Sequence, residues 1–211
     1  MKGILSLLKM KTRSGKPSDD HTDSVLFSTA FAGQGVDDSM LVPWEARAVE
    51  VGAKRLPTSR GGKLLQGLWA KDKYMAHLDK DAVERMERFF EFAAVPSNRD
   101  VIRQDEYGNF MVVLLTGTIA VDRVQPWGEQ LRLAETRPGD ILGEMSLLDS
   151  GIRFSACTTL TDCEIAVLSA EAMDDMMTKD PQLAASLIAL LARKLSLRLR
   201  VVSARLSDNQ K

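Results

Sequence analysis

The chain has 211 residues, 27% of them charged and 45% hydrophobic, with a formal net charge of −1. That balance is ordinary for a globular protein in water and carries no global signal for nucleic acid or membrane. The length suits one well-buried domain with an extension.

The opening aliphatics, Ile4-Leu5-Ser6-Leu7-Leu8, stop at Lys9 and Lys11. The run is too short for a signal-peptide core or a transmembrane span, so a cytoplasmic protein with no membrane span is expected. Lys2, Lys9, Lys11, Arg13 and Lys16 precede the first acidic residue. They read either as a solvated terminus or as a weak membrane-surface anchor. From Ser14 to about Gly62 no hydrophobic period is sustained, and residues 1–62 are expected to be a flexible N-terminal arm. Its apolar islands, Val25-Leu26-Phe27 and Met40-Leu41-Val42-Pro43-Trp44, are expected to dock on the domain or on a partner.

Between Lys63 and Phe92, Leu64, Leu65, Leu68, Trp69, Met75 and Leu78, then Val83, Met86, Phe89 and Phe90, recur at three- and four-residue steps. This predicts two helices over 63–94, divided near Asp79, with Asp79 or Asp81 as the cap of the second. After Val95-Pro96 the texture becomes that of strands. Phe110 to Leu115 is a compact apolar run, Thr118 to Val124 mixes β-branched with polar residues, and Gln130-Leu131-Arg132-Leu133-Ala134 alternates after the turn Gln125-Pro126-Trp127-Gly128. With Ala156 to Leu160 and Glu164 to Leu168, at least six short strands are predicted over 95–169, which favours a sandwich or jelly roll.

Within that region, Arg137 to Thr159 reads as a phosphate-binding cassette. Gly143 permits close backbone approach and positive φ. A helical turn starting at Glu144 would turn free N–H groups toward an anion. Arg153 offers a planar fork matched to phosphate. A carboxylate beside a phosphate makes sense only if it accepts from donors such as a ribose hydroxyl, so Glu144 and Arg153 together point to a nucleotide. Cys157 and Cys163 form no C-x-x-C pair or metal-ligand spacing and are expected to be reduced, partly buried thiols.

Leu142-Gly143-Glu144-Met145-Ser146-Leu147-Leu148, followed by Arg153-Phe154-Ser155-Ala156, resembles the cassette of the cyclic nucleotide-binding domain family. That family includes catabolite activator proteins, protein kinase A regulatory subunits and cyclic-nucleotide-gated channels. The family pattern runs roughly F-G-E-[LM]-[AS]-L-[LI], a short helix, then R-[SA]-A-[TS]. The resemblance extends from Phe89 onward and implies a mainly β fold with flanking α: a jelly-roll-like β-barrel with N-terminal helices and a long C-terminal helix. It implies a cyclic nucleotide ligand, cAMP or cGMP, without a metal. Glu144 would hold the ribose 2'-hydroxyl and Arg153 the cyclic phosphate, with Gly143, Met145, Phe154 and Ser155 around them and Arg198 of the last helix facing the base. Three positions depart from the family, one of them Arg198-Leu199 in the last helix, where members that prefer cyclic AMP often have a threonine. Asp105 stands where it has a glycine, which Asp tolerates in a turn. Phe154 stands where it has a small residue, which leaves a second reading: a domain that no longer binds nucleotide and serves as a dimerisation or interaction module.

Ser169 starts a short acidic helix, and Asp180-Pro181 opens the last one, which runs to about Leu206, about 39 Å at 1.5 Å per residue. Residues 170–211 are thus expected to be C-terminal helices. The last helix has two apolar stripes, Ile188, Leu191, Leu195, Leu199, Val202 and Leu206, and Leu187, Leu190, Leu197 and Val201. Through it the family resemblance implies a homodimer; the alternative is a monomer whose helix packs on the N-terminal arm.

No catalysis is expected. A jelly-roll metal enzyme needs several histidines, and the chain has only His21 and His77, both outside the barrel segment. With the sequence ending at Lys211, no DNA-binding helix-turn-helix is expected after the last helix, and Arg193, Lys194, Arg198, Arg200 and Arg205 read as its polar face. The expected role is a sensor or regulatory protein in signal transduction that couples nucleotide to the last helix and to a protein effector.

Overall fold

In a computed structural model the described residues are 26–76 and 78–208. The basic opening segment, His21 and His77 lie outside them. The frame is set by β4 (Phe110–Thr116), whose apolar run has a simple cause: both of its faces are covered. Phe110, Val112 and Leu114 point into the space between two sheets, whereas Met111, Val113 and Leu115 face a layer of helices. β9 (Cys163–Ser169) lies antiparallel beside β4, with Val112 opposite Val167 and Val113 opposite Ala166, and divides its side chains the same way.

Around this pair the five-stranded sheet runs β1 (Lys54–Arg55), β2 (Glu91–Val95), β9, β4 and β7 (Ile141–Leu142). The second sheet has four strands: β3 (Asp100–Ile102), β8 (Ala156–Thr159), β5 (Ile119–Val124) and β6 (Gln130–Glu135). All pairings between these strands are antiparallel. The result is the jelly-roll-like architecture expected, as two facing sheets that are not joined into a closed barrel. β6 is the exposed edge of its sheet along its whole length.

The helical layer is α3 (Thr58–Trp69), α4 (Lys80–Glu87), α6 (Ala170–Lys179) and α7 (Pro181–Asp208). Asp79 accepts from the Ala82 N–H at 2.6 Å and caps α4, and the Ser169 hydroxyl accepts from Ala172 at 3.1 Å to cap α6. Leu183, Leu187, Leu190 and Leu191 bury the first half of α7 in the core under the five-stranded sheet. Beyond it Leu197, Leu199, Val201, Val202 and Leu206 are exposed.

For residues 26–62 the expectation of an irregular arm is corrected. They contain α1 (Phe27–Gly33), a 3-10 turn at Asp38–Met40, α2 (Trp44–Val51) and β1, and the proposed boundary at 62 falls inside α3. The cause is tertiary. The carboxylate of Asp174 on α6 accepts from Leu26, Phe27 and Ser28 N–H groups at 2.8, 2.8 and 2.9 Å, so α1 receives its cap from a residue 146 to 148 positions away. Helices this short draw their stability from docking, which leaves no local period to read. Of the apolar islands, Phe27 enters the helical core and Trp44 the space between the sheets, whereas Leu26 and Met40 are exposed; Phe31 and Val51, outside the islands, are buried as well.

Candidate functional site

The cassette turns at Gly143. Its φ of +75° is left-handed, and a Cβ there would lie 2.6 Å from Arg153 Nη1 and 2.8 Å from Ile102 Cδ1. Only glycine meets both demands. It leads from β7 into α5 (Glu144–Asp149), which Ser150 ends in a second left-handed conformation, φ +55°.

Arg153 enters just ahead of β8. Its N–H donates to Glu106 O at 2.8 Å, and the Asp105 N–H donates to Arg153 O at 2.9 Å. Asp105 has φ +64°, so the residue that replaces the family glycine takes up the left-handed turn it was expected to tolerate. The Arg153 side chain is 3% exposed. Its Nη1 donates to Gly143 O at 2.7 Å, its Nη2 to Phe110 O at 2.6 Å, and its guanidinium lies 4.7 Å from the centre of the Phe110 ring. A Cβ on Gly108 would sit 2.7 Å from Nη2, so two glycines make room for this one guanidinium. Burial pushes its pKa down to about 10, still charged at neutral pH. A guanidinium carries five N–H donors, so these two bonds do not exhaust it.

Glu144, the first residue of α5, is 3% exposed. Burial pushes its carboxyl above the usual range, against the opposing pull of Arg198 and, less strongly, Arg153. Arg198 pairs with Glu144 through Nη1 and donates through Nη2 to Ile141 O at 2.8 Å. Four residues earlier on the same face of α7, Lys194 lies 3.2 Å from Asp72 and 3.5 Å from Gly139 O. Arg198, expected to face a base, is thus placed on the carboxylate expected to hold the ribose.

The remaining cassette residues lie outside the buried Arg153 and Glu144. Phe154 is 51% exposed, with the guanidinium of Arg123 on β5 stacked 4.1 Å from its ring centre and donating to its carbonyl. Met145 is exposed and Ser155 half-buried. Arg123 and Glu106 were not singled out by sequence reasoning, and Lys194 was read only as part of the polar face of the last helix. Each reaches the cassette from another element, and only a resemblance extended beyond the cassette itself would have flagged them. Cys157, buried beneath the site, is a free thiol pushed by burial up to about 12. Among the described residues no helix is long and apolar enough to cross a membrane, and no three His, Cys, Asp or Glu side chains converge as metal ligands. A cavity of about 590 Å³ opens elsewhere, between α2 and β2, lined by Trp44, Lys54, Arg55, Leu56, Glu91 and Phe92; its charged side chains belong to exposed residues, unlike the buried carboxylate and guanidinium of the cassette.

Residues 93–180 match the family model described as the cyclic nucleotide-binding domain. The cyclic AMP receptor protein of Thermus thermophilus is 31% identical over 107 residues, 51% of this chain and 50% of that protein. A CRP-like cAMP-activated global transcriptional regulator of Mycobacterium tuberculosis is 28% identical over 100 residues, 47% of this chain and 45% of the relative. The chain thus spans about half the length of the curated relatives it matches. Among solved structures, a cyclic nucleotide-binding domain from Methylobacillus flagellatus shares the fold at TM-score 0.67 and 22% identity, covering 72% of this chain and 86% of that one. The Thermus thermophilus catabolite activator protein aligns at TM-score 0.54 and 28% identity, covering 63% of each chain.

Proposed function

We propose, on the premise that residues 93–180 belong to the cyclic nucleotide-binding domain family, that this chain is a regulatory protein that binds a cyclic nucleotide and has no catalysis of its own. Arg153 takes the cyclic phosphate, and Glu144 accepts from the ribose 2'-hydroxyl, with the backbone around Gly143 and Phe154 completing the cradle.

One observation carries the mechanism: Glu144 pairs with Arg198 of α7. The carboxylate assigned to the sugar is also the one that holds the last helix. A nucleotide that takes Glu144 removes one fastening of α7, so ligand and helix position are linked through a single acceptor. Such a ligand shifts the placement of α7 by as much as its affinities for the two placements differ. A partner then reads that placement, and the exposed outer half of α7, with Leu197, Leu199, Val201, Val202 and Leu206, serves as the seam of a homodimer.

The second reading, a domain that has lost its nucleotide and works as an interaction module, is favoured by the commitment of Arg153 to two backbone carbonyls and by the bulk of Phe154. Thermal denaturation with and without cyclic AMP or cyclic GMP separates the two. A ligand at a hundred times its dissociation constant stabilises the fold by about 2.7 kcal/mol, and an unchanged midpoint with both nucleotides leaves only the interaction module.

A further inference from the structure

The ring of Phe110 that carries the Arg153 guanidinium is met from another direction by Trp44, edge-on, with ring centroids 5.6 Å apart. Trp44 opens α2, which lies upstream of the segment matched to the family. Arg47 follows in the same turn and is 1% exposed. Its Nη1 donates to Glu50 at 2.5 Å and its Nη2 pairs with Glu106. Arg103 closes the ring by pairing with Glu50 and approaching Glu106 at 3.9 Å.

Glu106 is also the residue whose carbonyl accepts the Arg153 N–H, and its neighbour Asp105 donates back to Arg153 O. A little earlier in the chain, the Val42 N–H donates to Tyr107 O at 2.9 Å, and Leu41 bridges Tyr107. The edge-to-face rings therefore reach the guanidinium of Arg153 from α2, while the ion pairs reach its backbone. These are two separate routes to one side chain.

Arg47 is an expensive way to dock a helix. Its Nε is buried with no partner, and apolar side chains would hold α2 without that cost. Burial is the main reason the Arg153 pKa falls to about 10, and the charge of Arg47 adds to it, so the two guanidinium groups sense one another. Repulsion of that kind is relieved by an anion beside Arg153.

We propose that α2 supports the phosphate site from outside it: Arg47, acting through Glu106, is a positioning residue that sets the backbone of Arg153 for a cyclic nucleotide's phosphate, while Trp44, through the Phe110 ring, backs the guanidinium. This rests on the nucleotide-binding reading above and extends the functional unit upstream of residue 93.

The test uses the full chain carrying Arg47→Met, Glu106→Gln or both, with two readouts. The first is hydrogen exchange at the amides of Asp105 and Arg153, compared with those of β4 and β9. The second is calorimetric titration with cyclic AMP and cyclic GMP. In either variant, exchange at Asp105 and Arg153 speeds by about tenfold or more while β4 and β9 keep their protection, and affinity falls by about tenfold. The double variant is no worse than Arg47→Met alone, because that change already removes the contact with Glu106. Glu106→Gln alters a carboxylate that is 29% exposed and is the milder change should Arg47→Met fail to fold. Exchange that rises everywhere in step with lost global stability makes Arg47 a structural anchor and overturns the proposal; unchanged exchange at Asp105 and Arg153 overturns it too. If the unaltered chain takes up neither nucleotide, the ligand half falls with the proposed function, while the exchange readout still decides whether Arg47 positions Arg153.

Discussion

Glu144 and Arg198 form an ion pair across 54 positions of sequence, joining the first residue of α5 to the outer half of α7. The carboxylate is 4% exposed and the arginine 47%, so the pair is half desolvated. Arg198→Ala leaves a buried carboxylate without its strongest partner. A fully buried pair broken from one side costs about 3–5 kcal/mol, and the exposure of Arg198 brings the expected loss to about 1–2 kcal/mol in denaturant unfolding. If Arg198 and a ribose hydroxyl compete for Glu144, the same variant binds nucleotide more tightly, whereas Glu144→Gln weakens it.

Stability depends on pH through the same carboxyl. Burial holds the Glu144 pKa above the ordinary carboxylate value, so the folded chain keeps this proton at pH values where the unfolded chain has lost it. The native state then binds more protons than the unfolded state, and stability falls as pH rises from the ordinary value through the raised one. Below that window both states are protonated and the full contribution is present. Glu91, raised by burial and by Glu45, acts in the same direction. The comparison is therefore with Glu144→Gln, whose unfolding midpoint falls less steeply with rising pH than that of the unaltered chain.

Gly143→Ala sets a Cβ against Arg153 Nη1 and Ile102 Cδ1 at a left-handed backbone position. Strain at such a residue costs about 1–3 kcal/mol before any clash is counted, so a loss of about 2 kcal/mol or more is expected in chemical denaturation. Displacement of Arg153 also removes nucleotide binding, even in the fraction that stays folded.

Leu199 and Val202 are 66% and 51% exposed, three residues apart on α7. If this stretch is a dimer seam, analytical ultracentrifugation finds a dimer that Leu199→Asp or Val202→Asp converts to monomer with little change in monomer stability. A monomer at all concentrations in the unaltered chain removes the seam.

The strands and the cassette were legible because their signals are local. The run from Phe110 to Leu115 betrays a strand covered on both faces, and the spacing of Gly143, Glu144 and Arg153 marks the turn that brings them together. What escaped depends on contacts between distant parts of the chain. Asp174 caps α1 from across the molecule, so nothing near Phe27 announces a helix. Arg47 lies between Ala46 and Ala48 in a short helix that also carries Glu45 and Glu50, and nothing local marks it as buried until β3 and the following turn bring Glu106 to it. Arg198 was placed on the right helix, yet its choice of Glu144 over open space follows from the register of α7 on the cassette, which periodicity does not supply.

The central claim is that Arg153 and Glu144 hold a cyclic nucleotide. Calorimetric titration of the full chain with cyclic AMP and cyclic GMP, repeated on Arg153→Ala, tests it most directly. The account predicts saturable binding of at least one of them, weakened tenfold or more in the variant, as the loss of a charged hydrogen bond of about 1.5–3 kcal/mol requires. Absence of heat from either nucleotide with the folded chain, or binding that Arg153→Ala leaves unchanged, contradicts it.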